Sequence, residues 1–399
     1  MNPRRQLPWV LGCSVVGVAL SSYLFYLHLG LLRGELLGGA ACGGVGSVFN
    51  CHAVTAGRWG VFLGVPLSIW GLLGYLAVFG LALLGIQSEA WARRALTLIA
   101  GLAALFVAID VVLAIAMIAI IRFYCLFCLM TYVVNVTLFL LAVQSLRLPL
   151  PQLLRQAGPA LGALVPSSQH PEAALFWGVL LVGLVATLGL QGATTFVAQG
   201  ALGPPRRQMQ EFIAKQTRVQ IETAGDPMHG DPKAPLQLVE FSDLLCPACQ
   251  RASQLNTIIL ANHRHDAVLI FKHYPLDMTC NDRVTRVVHP GACEVAAAAE
   301  CAHQQGRFWA FHDLAFRKLP YQMEHVDADA AGLGLDLPRF HTCMNSGQGM
   351  EAVKRDIAEG AKVGLNSTPT YVINGVQVTG SLNPTLFEEF IDILQEASH

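Results

Sequence analysis

Five stretches of the chain, at about 8–32, 61–84, 95–121, 123–146 and 173–197, are apolar. Each is long enough to cross a bilayer, which takes ~20 residues as helix. Every backbone N–H and C=O in such a segment must be satisfied internally, so these stretches are read as helices. The third and fourth are split only around Arg122 and form a helical hairpin. Charge follows the same division. Charged residues make up 13% of the chain, about half of what soluble domains carry, and 13 of the 53 lie in the first 200 positions. The first half therefore reads as membrane and the second as a water-soluble domain. A net charge of −1 and the lack of a Lys/Arg run exclude nucleic acid as the main partner. The high apolar content excludes disorder.

Arginines orient the spans. Arg4 and Arg5, Arg93 and Arg94, and Arg147 and Arg155 fall on one side if the chain alternates. That side is read as the cytoplasm, although Arg33, Arg58 and Arg122 fall on the other. Five crossings then put the C-terminal domain outside. The first stretch is too long for a signal peptide, and the apolar run follows Cys13 rather than preceding it, which argues against a lipoprotein. Cys13 reads as a packed thiol on the cytoplasmic side.

Eleven cysteines are many for a reducing compartment. Six form pairs, Cys42/Cys51, Cys125/Cys128 and Cys246/Cys249, all on or open to the non-cytoplasmic side. After a polar segment at 198–233, with Pro204 and Pro205 and a short helix at 207–217, the soluble domain begins near 234. Strands are expected at 235–242, 267–274, 370–373 and 376–379, the last two around an Asn374-Gly375 turn. Helices are expected at 247–261, over much of 290–363, and at 384–397 behind Asn383.

Cys246-Pro247-Ala248-Cys249 follows a strand and opens a helix. Unpaired N–H groups at a helix start stabilise a thiolate, which makes Cys246 the attacking sulfur. Cys249 resolves the mixed disulfide. Pro247 suits a first turn that needs no donor. Half a zinc site or an inert disulfide is the bland alternative; zinc would want a second ligand pair, for which His263 and His265 are at hand, but the strand–helix context fits redox better. No metal is expected.

These residues, with Ser367-Thr368-Pro369-Thr370 about 120 positions later, resemble the DsbA-like branch of the thioredoxin superfamily over 234–399. The resemblance implies that Pro369 is cis, faces the active disulfide and shapes the peptide site beside Thr368. It implies that Glu240 is a buried acid near the second cysteine, able to take its proton. The most oxidising relatives carry His where this chain has Ala248. Of the three pairings open to Cys280, Cys293, Cys301 and Cys343, structural bridges Cys280–Cys293 and Cys301–Cys343 are favoured over a second relay.

In the membrane half, Cys125-Leu126-Phe127-Cys128 opens an apolar helix, and Cys42 and Cys51 lie in a glycine-rich loop. A Cys-x-x-Cys there can exchange electrons with something dissolved in the bilayer. Together with Arg58-Trp59-Gly60 and the segment through Ser68, and with Tyr132, this resembles the vitamin K epoxide reductase family over 8–146, in its bacterial form fused to a thioredoxin-like domain. The resemblance implies that Cys51 exchanges with Cys125, that Cys128 faces a quinone, and that Tyr132 lines the quinone pocket. The family's hydroxyl residue near the quinone falls at Gly57 here, so that contact stays unassigned, with Thr55 out of register. Asp110, inside the third span, is a functional candidate without a role.

The expected fold is multidomain. A polytopic α-helical membrane domain, a four-helix bundle at 1–150, is followed by a cytoplasmic connector and fifth span at 151–197. A linker at 198–233 leads to a soluble α/β thioredoxin-fold domain with a helical insertion at 234–399. The expected function is disulfide formation in reduced or unfolded secreted proteins. Electrons pass from Cys246/Cys249 through Cys42/Cys51 and Cys125/Cys128 to a membrane quinone, ubiquinone or menaquinone. The expected location is a bacterial inner membrane. The same relay run backwards, as isomerase or reductase, is the first alternative. A non-enzymatic scaffold with a peptide-binding outer domain is the second.

Overall fold

The computed structural model describes residues 3–87, 89–146, 150–165, 170–201 and 206–396. Arg147, Pro204 and Pro205 lie outside the described residues. The chain divides into two compact units, Met1–Gly43 with Val48–Gly203, and Gly44–Ser47 with Pro204–His399.

The first unit is helical. Its elements are α1 (Leu7–Leu32), α2 (Cys51–Ala56), a hairpin of β1 (Val61–Phe62) and β2 (Val65–Pro66), α3 (Leu67–Gln87), α4 (Glu89–Ile115), α5 (Leu126–Leu146), α6 (Leu150–Ala163) and α7 (Ala173–Ala201). A π-helical turn, Ala116–Ile121, extends α4, and Arg122 in the left-handed region reverses the chain. Helices α1, α3, α4 with its extension, α5 and α7 are each long and apolar enough to cross a membrane. Leu7, Val78, Leu84, Leu96, Ile99 and Leu138 pack a dry core between them. Outward-facing Val133, Val182 and Phe196 are 67%, 71% and 77% exposed. Such a surface is costly in water and at home in lipid. This is a multi-pass membrane protein.

One stretch departs from the sequence expectation. Residues 61–66 form a tight hairpin, and the helix expected from Val61 starts at Leu67. The turn needs positive φ at Leu63 (52°) and Gly64 (74°), which a helix cannot supply. Hydropathy alone does not see that turn.

The second unit carries α8 (Arg206–Lys215), β3 (Met228–Gly230), β4 (Leu236–Ser242), α9 (Pro247–Asn262), β5 (Ala267–His273), α10 (Ala292–His303), α11 (Phe308–Arg317), α12 (Val326–Gly332), α13 (Leu337–Ser346), α14 (Gln348–Lys362), β6 (Thr370–Ile373), β7 (Val376–Thr379) and α15 (Pro384–Glu396). The sheet order is β3-β5-β4-β6-β7, with β4 and β5 parallel and the other pairs antiparallel. Strand β5 is buried throughout and β4 at all but Gln237, as suits a sheet covered on both faces. This is a thioredoxin-like fold, with α10–α14 inserted between β5 and β6. The segment 198–233 is not a bare tether. Met209 and Ile213 of α8 join the core under α15, and β3 pairs with β5. Both are tertiary contacts that a polar local composition hides.

Two disulfides hold the insertion. Cys280 bonds Cys293, and Cys301 on α10 bonds Cys343 on α13. They close loops with sequence separations of 13 and 42. Loop-closure entropy assigns them about 3 and about 4 kcal/mol. Replacing each pair with alanine should therefore lower the urea midpoint of the second unit, and the Cys301/Cys343 pair should cost more. Pulse proteolysis of the full-length protein measures this; equal midpoints to wild type would contradict it.

Candidate functional site: two paired-thiol centres

In the second unit, strand β4 ends at Ser242 and the turn that follows delivers Cys246 as the N-cap of α9. The chain reverses through Cys246 N–H donating to Asp243 O (3.0 Å) and Leu245 N–H donating to Asp243 Oδ1 (2.8 Å). Cys246 and Cys249 are unbonded thiols, 6% and 0% exposed. The Cys249 thiol donates to Cys246, whose pKa falls to about 6. Backbone N–H groups of Cys249 and Ala248, and Thr368, add to that effect. Burial, then the neighbouring Cys246, pushes Cys249 up. The shifts suit Cys246 to attack and Cys249 to resolve.

The Thr368–Pro369 peptide is cis, and Thr368 O lies 3.9 Å from Cys246 Sγ. Glu240 is 1% exposed in the middle of β4. Its Oε2 accepts from Asn256 Nδ2 (2.8 Å), and Asn256 Oδ1 accepts from the Tyr371 hydroxyl (3.0 Å). Burial raises Glu240 to about 7. Ser242 lies beside both Glu240 and Cys249.

Sequence reasoning missed Asp243 and His289. Asp243 Oδ2 accepts from Leu276 N–H (2.8 Å) and meets His289 Nδ1 at 2.7 Å. That contact raises the His289 pKa. A histidine thus reaches the Cys246 turn from 43 residues away in sequence, although position 248 is alanine. No local motif could reveal it.

The membrane pairs share one apolar cluster with Leu24, Leu27 and Met117: Cys42, Cys51 and Cys125 are buried in it, and Cys128 packs against it. Asn50 caps α2 by accepting from Ala53 N–H (2.9 Å), which places Cys51 at the helix start. Cys42 and Cys51 are unbonded, and Cys125–Cys128 is a disulfide. The Cys42 thiol donates to Cys51 and lowers its pKa, aided by N–H groups of Phe127 and Leu126 at the start of α5. The hydrogen bond to Cys51, then burial, raises Cys42. Cys51 is therefore the sulfur of the pair better suited to attack, held against the end of the helix that carries the disulfide. Gly38, with φ 92°, makes room for this packing; a Cβ there would meet Cys42 Sγ at 2.5 Å.

Below the disulfide lies a cavity of about 190 Å³. Cys128, Thr131, Tyr132 and Asn135 line it from one face of α5. Trp59 lines it too, and its buried indole N–H has no partner among the described residues. Thr55 also reaches the cavity, but its hydroxyl donates to Cys51 O (2.9 Å). His52 is buried against Leu37 O (2.8 Å), and the half-buried Cys13 packs against the bundle core.

Fold and paired thiols define a class: a helical membrane domain joined to a thioredoxin-fold domain, each carrying paired cysteines. More particularly, residues 8–143 match the model of the vitamin K epoxide reductase family and residues 222–393 a thioredoxin model. The chain is also similar to curated relatives with other names. The Na(+)/H(+) antiporter NhaA 3 of Salinispora tropica is 31% identical over 210 residues, 50% of this chain and 30% of that protein. The antiporter NhaA of Herminiimonas arsenicoxydans is 32% identical over 157 residues, 39% of this chain and 23% of that protein. The chain thus spans less than a third of either relative. Among solved structures, a thioredoxin-like oxidoreductase from Silicibacter pomeroyi matches with 24% identity and a TM-score of 0.37, covering 43% of this chain and 94% of that one. BdbD from Bacillus subtilis matches with 20% identity and a TM-score of 0.37, covering 46% and 98%.

Two pH dependences follow. Alkylation of Cys246 in the reduced protein should have its midpoint near pH 6, and Cys249→Ala should move it up by removing the largest contribution. A midpoint that stays put in Cys249→Ala would contradict the hydrogen bond between the thiols. Glu240 holds its proton to about 7 when folded and to 4.5 otherwise. Its contribution is full below pH 4.5 and is lost as pH rises through 7, about 3 kcal/mol in all. Urea midpoints at pH 5 and pH 8 should show a fall in wild type that Glu240→Gln lacks.

Proposed function

We propose that the protein oxidises thiols of reduced or unfolded secreted proteins and passes the electrons to a membrane quinone. The observation that carries this reading is Cys51, an activated thiol held at the start of α5 beside a disulfide whose far sulfur, Cys128, lines a cavity.

In the oxidised soluble domain, a substrate thiolate attacks Cys246 and displaces Cys249. A second substrate thiolate releases Cys246, leaving the pair reduced and the substrate bonded. The soluble pair then reduces Cys42–Cys51 by the same exchange. The Cys51 thiolate next attacks Cys125, and Cys128 leaves as a thiolate near the α5 N-terminus, which stabilises it. Cys42 attacks Cys51 and frees Cys125. Each step exchanges one S–S bond for another, so electrons balance throughout. Joining the two domains in one chain raises their effective concentration, to ~mM for short flexible linkers.

The cavity fits a quinone ring. Its lining is mostly apolar, and the orphaned Trp59 N–H is a donor in want of a carbonyl. Tyr132 stands one turn from Cys128. A quinone bound there would accept two electrons and two protons from the dithiol. The positive-charge bias supports an N-terminus in the cytoplasm and a thioredoxin domain outside, and on this reading the membrane is the inner membrane of a bacterium.

Cys128→Ser should leave thiol exchange at Cys246 intact and abolish quinol formation. Trp59→Phe should weaken quinone binding about tenfold, the worth of one hydrogen bond. Quinol formation by Cys128→Ser, measured by ultraviolet absorbance under anaerobic conditions, would overturn the relay.

A further inference from the structure

A buried carboxyl in the membrane domain has so far played no part. Asp110 lies in α4, 9% exposed, and its Oδ2 accepts from Asn135 Nδ2 (2.9 Å). The Asn135 Oδ1 accepts in turn from the Tyr75 hydroxyl (2.7 Å). All three residues line the same cavity as Cys128. The titratable side chains lining it are His28, Tyr75, Asp110, Cys128 and Tyr132, and no Lys or Arg lines it among the described residues.

The arrangement has a direction. Asn135 stands seven residues after Cys128 on the same face of α5, about 10 Å along the helix. Its amide is oriented at both ends, by the Tyr75 hydroxyl and by Asp110. The carboxyl is therefore held some two turns from the reactive sulfur, along the cavity wall. A quinone carries its two carbonyl oxygens on opposite sides of the ring. A ring with one side at Cys128 turns its other oxygen toward Asp110.

We propose that Asp110 is a catalytic proton carrier, giving a proton to the quinone oxygen remote from Cys128. The proposal rests on quinone reduction at Cys128. As Cys125 and Cys128 rejoin, the dithiol gives up two electrons and two protons. One thiol proton goes to the near oxygen, and Asp110 protonates the far one. The Asp110 carboxylate then takes up the proton that the second thiol releases. The sum is dithiol plus quinone to disulfide plus quinol, with Asp110 regenerated. A buried carboxyl with only neutral partners is an expensive way to fix a helix contact, since apolar residues would pack there at less cost. Proton transfer gives it a function that packing does not.

The test uses the full-length protein in detergent, reduced with dithiothreitol and freed of reductant, with short-chain ubiquinone as the probe. Asp110→Asn should slow quinol formation about 100-fold or more, the scale of a lost acid catalyst. Asp110→Glu, which keeps the acid, should recover most of the rate. The second readout is the infrared difference between dithiol and disulfide protein without quinone, taken in a Glu240→Gln background that silences the carboxyl near Cys249. A carboxyl C=O band that shifts in D2O should appear in that background and vanish when Asp110→Asn is added. Quinol from Asp110→Asn at the wild-type rate overturns the assignment while leaving quinone reduction standing, as does an infrared band that survives the substitution. No quinol from wild type overturns both.

Discussion

The reactive sulfur of each reduced pair depends on one interaction, a hydrogen bond from its partner thiol. Cys249 donates to Cys246 in the soluble domain, and Cys42 donates to Cys51 in the membrane domain. In both pairs the acceptor also meets backbone N–H groups at the start of a helix, α9 for Cys246 and α5 for Cys51. The physics is the same on two unrelated frameworks. A proton shared toward one sulfur makes that sulfur the better anion, and helix-end dipoles add to the effect. The roles of nucleophile and resolving thiol follow from this asymmetry rather than from chain order: the nucleophile comes first in Cys246/Cys249 and second in Cys42/Cys51.

The surrounding polar groups are concentrated where chemistry needs them. Glu240, Asn256 and Tyr371 form one buried chain, and Asp110, Asn135 and Tyr75 form another. Each costs desolvation that an apolar core would avoid. The first carboxyl shares Ser242 with Cys249, and the second lines the cavity that Cys128 reaches. The two disulfides of the insertion act differently. They constrain α10 and α13 and leave the reactive pairs to exchange freely.

Much of this was legible locally. Apolar length gave the spans, and the strand-then-Cys-x-x-Cys pattern gave the soluble centre. The Asn374-Gly375 turn is a local signal, and both residues do take positive φ, 46° and 89°. What escaped was nonlocal. His289 meets Asp243 across 46 residues, and Tyr75 reaches Asn135 across 60. Neither contact leaves a periodic trace. The hairpin at 61–66 was hidden because its residues are apolar enough to continue the helix after it. Strand β3 was hidden because its pairing lies with β5, in a segment whose own composition is polar. Trp59 stood in a quoted motif, but its orphaned N–H is a property of packing.

The central claim is that oxidation of substrate thiols and reduction of quinone are one coupled process. Its most direct test supplies purified full-length protein with a reduced, unfolded cysteine substrate and a quinone, under anaerobic conditions, and follows thiols and quinol together. The account predicts one quinol formed for every two thiols lost. Rearrangement of a scrambled substrate with no quinol would contradict it and point to an isomerase or reductase.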